Sequence, residues 1–138
     1  MAANTPLSAS GSRPVVRIDS GHPQRYSFTV ALHKPHGQFW PDGKPAKLLM
    51  NSRFDHQHAP PMSVTIDPDP AGTTNLADLA GCSLQWVVFV KVPGGGQGQF
   101  SVTVEVFQDG ELVGGPFTKQ GVVDDADAVA DFSDFDVS

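Results

Sequence analysis

The amino-acid sequence predicts an all-β domain: an antiparallel β-sandwich of immunoglobulin-like or jelly-roll-like form, with an OB-like barrel as the alternative. Three observations carry that expectation. Fourteen glycines and twelve prolines in 138 residues interrupt the chain too often for long helices. Apolar residues recur with a period of two in several short runs, and no long segment has the 3.6-residue period of a helix. One run, Leu84 to Val92, is apolar on both faces, as befits a central strand covered on both sides or placed at an oligomer contact. A chain of this length is expected to form one domain with a single core.

Residues 1–13 are small and polar and read as a flexible N-terminal arm. The sandwich is expected over 14–123 and an acidic, disordered tail over 124–138. Within the body, Pro14 to Ile18 forms a short first strand. Arg25 to Leu32 alternates, with Tyr26, Phe28, Val30 and Leu32 on one face. Three prolines and two glycines make residues 33–47 a long loop. Leu48 to Met50 is a short strand, and Met62 to Ile66 alternates again. Residues 67–75 (DPDPAGTTN) are turn chemistry, and Asn75 to Gly81 suits one helical turn with Gly81 just past its end. Leu84–Val92 and Phe100–Phe107, joined by the flexible PGGGQGQ segment, are expected to pair as an antiparallel hairpin. Gln108-Asp109-Gly110-Glu111 is a tight turn that folds the chain back. Gly114-Gly115-Pro116 breaks the returning strand, as at an edge or bulge, and Phe117 to Val123 continues the sheet.

Charge divides the chain in three. Up to Arg53, seven Lys or Arg face two Asp; from Phe54 to Val123, seven acids face two lysines; from Asp124 on there are six aspartates and no base. The body is therefore near neutral, and the last segment carries the net charge of −6. DDADAVADFSDFDVS reads as a solubilising tail, since its charges repel and it holds little apolar surface. Phe132 and Phe135, set among the acids, are its candidate partner-binding residues. In outline it resembles the acidic C-terminal tips of single-stranded-DNA-binding proteins, although it ends Val137-Ser138 rather than in an aromatic residue.

Candidate chemistry is sparse. His56 and His58, in SRFDHQHAPPM, stand two apart and would point the same way on an extended segment, a pattern that suits zinc or copper. Met50 and Met62 flank them, and His33 and His36 in the neighbouring loop are possible third ligands. Asp67 and Asp69 suit calcium less well than a solvated turn. His33, His36, Phe39 and Trp40 are the candidate ligand-binding residues of the 33–47 loop, whose aromatics either pin it to the body or face a ligand. Cys82, the single cysteine, reads as a buried thiol acting as a small hydrophobe. No nucleophile–base motif, phosphate-cradling loop or glycosidase carboxylate pair is present.

The expectation is thus a non-enzymatic binding or assembly module without a cofactor, recognising a partner protein, its own copies or a glycan through loops and a sheet edge. A homo-oligomer is expected, because the doubly apolar 84–92 strand calls for a cover. The alternatives are a zinc- or copper-binding protein using the His-rich 33–58 region, and a single-stranded nucleic-acid binder with an acidic regulatory tail. The second draws on Arg13, Arg17, Arg25, Lys34, Lys44, Lys47 and Arg53 with the aromatics Tyr26, Phe28, Phe39, Trp40 and Phe54, but the neutral body argues against it. With no basic, apolar leader and no membrane-length apolar run, a soluble, cytoplasmic protein is expected.

Overall fold

A computed structural model describes residues 3–22, 24–40, 42–54, 62–66 and 76–138. They form nine strands: β1 (Ala3–Leu7), β2 (Val15–Ser20), β3 (Arg25–His33), β4 (Ala46–Phe54), β5 (Met62–Thr65), β6 (Ser83–Lys91), β7 (Gln97–Gln108), β8 (Glu111–Asp124) and β9 (Ala126–Val137). A 3-10 turn at Leu76–Leu79 is the one helical element among the described residues, and Gly81 follows it at φ +79°. The strands make two sheets, ordered β1-β9-β6-β3-β4 and β5-β2-β7-β8, packed on a common core. This is the expected sandwich.

Period two explains how each strand serves the core. On β3, Tyr26, Phe28, Val30 and Leu32 are all buried, while Ser27, Thr29 and Ala31 are only partly covered. Leu84, Trp86, Val88 and Val90 do the same on β6, and Val102, Val104 and Val106 on β7. Each such side chain contributes on the order of 1.5–3 kcal/mol by leaving water. The Asp109-Gly110 turn joins β7 to β8 as expected. Both residues are left-handed, at φ 54° and 79°, the geometry that matches the twist of a two-residue hairpin. The register of β8 on β7 shifts around Val104 to Phe107, opposite the Gly114-Gly115-Pro116 interruption.

Four expectations are corrected. Residues 126–137 are not a disordered tail: β9 lies between β1 and β6, antiparallel to β6 over nine residue pairs. Its acids do not preclude a strand, because Val129, Ser133, Phe135 and Val137 share the inward parity and meet the core. Residues 3–7 are not a loose arm. They form β1, parallel to β9, so the five-stranded sheet is mixed rather than wholly antiparallel. The following turn is held by Gln108, which accepts from the Ser8 N–H at 2.8 Å and donates to the Ser8 and Ser12 carbonyls.

β6 and β7, thirdly, do not pair: β6 bonds to β3 and β9 in one sheet, and β7 to β2 and β8 in the other. The glycine-rich link crosses between sheets, because a strand apolar on both faces belongs in the middle of a sheet. The fourth correction concerns β4, which runs to nine residues rather than three.

Candidate functional site

The expected site residues disperse. Trp40 pins the loop that follows β3. It is buried, its Nε1–H donates to the Leu32 carbonyl at 3.2 Å, and the Lys34 ammonium lies 4.3 Å from its ring centroid. The Lys34 and Trp40 N–H groups bond to the Pro45 and Lys44 carbonyls and close the loop on itself. Trp40 is therefore an anchor rather than a ligand platform, whereas Phe39 beside it is 59% exposed. His33 ends β3, opposite Ser83 of β6, and His36 is exposed in the loop.

His56 and His58 lie outside the described residues, as do Asp67 and Asp69. No group of three His, Cys, Asp or Glu suited to a metal occurs among the described residues. Of the aromatics that could stack on nucleic-acid bases, Tyr26, Phe28 and Trp40 are core residues, and Arg17 pairs with Glu105 at 3.9 Å.

The Cys82 thiol is buried and donates to the Asp78 carbonyl at 3.6 Å. Desolvation pushes its pKa up, the Lys34 charge opposes that rise and Asp78 adds to it. A nucleophilic thiolate needs the opposite setting.

Phe135, expected to be a partner-binding residue of the tail, is only 2% exposed. Its backbone is tied to both Gly81 and Cys82. Phe132 is the opposite case. It stands 46% exposed on the outer face of the five-stranded sheet, opposite Gln85 of β6.

That outer face carries exposed apolar side chains near its centre. On β6 it presents Val87 and Phe89, and Phe89 is 46% exposed. The register sets Val87 opposite Ala130 and Phe89 opposite Ala128. Across β3 the same rows continue through Thr29 and Ser27, and Ala31 leads to Leu48 on β4, 57% exposed.

The outer face of the four-stranded sheet is mixed, with Val15, Phe107 and Leu112 aligned across it at one end and polar groups elsewhere. It carries the Arg17–Glu105 ion pair, Asp19, Ser101, and a Thr103–Thr118 hydroxyl contact. A shallow depression of about 400 Å³ beside it is lined by His22, Gln99, Phe100, Gln120, Gly121 and Val122.

The sequence held the signal for the apolar face in the doubly apolar β6, and missed its β9 half. Among the described residues, no helix is long and apolar enough to cross a membrane. No protein-family model, curated protein or solved structure matches this chain.

Proposed function

We propose that this protein is a non-enzymatic protein-binding module whose contact surface is the outer face of the five-stranded sheet. The observation that supports the reading is the pairing of Val87 and Phe89 with Ala130 and Ala128 on a central, exposed part of that face. Contiguous apolar surface of this kind is what protein contacts use.

Three of the four sheet edges are less suited to strand addition, whereas β4 is a nine-residue edge strand without proline. β1 carries Pro6, β8 is interrupted at Gly114-Gly115-Pro116, and β5 has only four residues. The face is proposed as the contact surface in addition to the β4 edge of the same sheet.

The test is to place a photoreactive benzophenone side chain at position 89, and at position 112 as a control. Leu112 is also exposed but sits on the four-stranded sheet. Crosslinking to a polypeptide from position 89 and not from 112 is the expected result. Equal crosslinking from both, or none from 89, removes the proposal.

A further inference from the structure

Resting on the binding role of this face, we propose that its occupant is a second copy of the chain, stacked face to face about a two-fold axis running across the strands. Opposite charges stand at the two ends of the face. At one end of the face stand Lys91 on β6 and Arg25 on β3, paired with each other in register and both exposed. At the other end stand Asp134 and Asp136 on β9, the first held by the Ser83 hydroxyl. Between them β6 and β9 present Val87, Phe89, Ala128, Ala130 and Phe132, with Gln85 opposite Phe132 and Thr29 and Ser27 continuing the rows on β3. The carboxylates nearest the basic end are turned to backbone: Asp125 accepts from the Gly96 N–H at 2.6 Å and Asp127 from the Ala128 N–H at 2.8 Å. Neither Lys91 nor Arg25 forms a salt bridge with another of the described residues.

A face that is basic at one end, acidic at the other and apolar between is complementary to itself. Two kinds of two-fold axis can stack one sheet on another. An axis along the strands sets Lys91 and Arg25 against their own copies. An axis across the strands reverses strand direction, lays β6 over β6 and β9 over β9, and brings each basic end onto the acidic end of the other copy. Stacked sheets sit about 10 Å apart, and a lysine and an aspartate reaching toward each other cover that gap. β9 and β6 are neighbours about 4.8 Å apart, so the lateral offset is one strand. Four strands of this spacing and length give a face on the order of 500 Å² in projection, approaching the roughly 800 Å² per partner of a standard interface. The apolar centre supplies affinity and the charged ends set the register.

Sedimentation of the whole chain at concentrations up to about 100 μM, well above a micromolar Kd, is expected to show a dimer. Lys91→Glu and Asp136→Lys are each expected to weaken it about tenfold by placing like charges opposite one another. An equimolar mixture of the two variants is expected to recover near wild-type affinity as a mixed dimer. Phe89→Ser is expected to give a monomer with an unchanged far-ultraviolet spectrum. A wild-type chain monomeric throughout overturns the inference, as does a dimer whose charge variants fail to rescue each other. If the monomeric chain still crosslinks from position 89 to a different polypeptide, the binding face stands and only its self-pairing falls. If it crosslinks to nothing, both fall.

Discussion

Gly114 shows what a missing side chain does for the closure of the sandwich. A Cβ there would lie 2.6 Å from the Thr5 hydroxyl, so only glycine lets β8 approach β1 along this side. Thr5 in turn is buried against the hydroxyl of Ser133, a polar pair that satisfies itself inside the core. Two buried ionisable groups give the fold an alkaline limit. Burial raises the Cys82 thiol above its ordinary 9.0 and the Tyr26 phenol above 10.0, although Tyr26 donates to the His22 carbonyl at 2.6 Å. The unfolded chain gives up these protons first as pH rises. Their contribution to stability is therefore complete below about pH 9 and is lost as pH climbs through the raised folded values. Urea midpoints are expected to be insensitive to both groups up to pH 8.5 and to fall above pH 9, and Cys82→Ala is expected to delay the fall. A midpoint unchanged to pH 11 would contradict this account. The sequence anticipated the buried thiol, since an isolated cysteine beside an apolar strand has few other places to go, but it gave Trp40 a ligand-binding role where the residue instead anchors its loop. It misplaced Phe135 because the flanking aspartates hid the parity that Phe135 shares with Val129, Ser133 and Val137.

At the scale of elements, β2, β3, β7 and the β7–β8 turn were legible, because alternation and an Asp-Gly pair act locally. Pairing was not. The segments of β6 and β7 are adjacent in sequence, but a flexible link says nothing about whether the next strand joins the same sheet or the opposite one. What decided it was the demand of β6 for a neighbour on each edge, and those neighbours, β3 and β9, come from distant parts of the chain. The acidic composition of β9 pointed to disorder because net charge outweighs alternation in a short window. In the folded chain its charges are separated: Asp131 meets Lys119 of the facing sheet at 3.6 Å, and Asp134 meets Ser83. A chain lacking residues 124–138 tests the difference. Removing a disordered tail would leave the melting temperature unchanged. Removing β9 strips β1 of its one strand neighbour among the described residues, frees an edge of β6 and takes Phe135 from the core. The truncated chain is expected to lose cooperative thermal unfolding, followed by circular dichroism, and to aggregate through the exposed edge.

For the whole molecule, the outer face of the five-stranded sheet matters most to function: alanine, valine and phenylalanine on β6 and β9 lie between opposite charges. The candidate face was half visible in the sequence, as the outward Val87 and Phe89. Its other half rests on β9, which had to be recognised as a strand before its alanines and Phe132 could be seen to line up with them. The bond between Thr5 and Ser133 spans 128 residues, and this has a consequence for how the protein is made. At roughly ten residues per second, more than ten seconds separate the synthesis of the first strand from that of the one it docks on. Through that interval the ribosome carries a chain whose greasy strands have no finished sheet to join. Assembly must wait for the last piece to clear the exit tunnel, so stalled nascent chains should stay protease-sensitive until residue 137 has emerged.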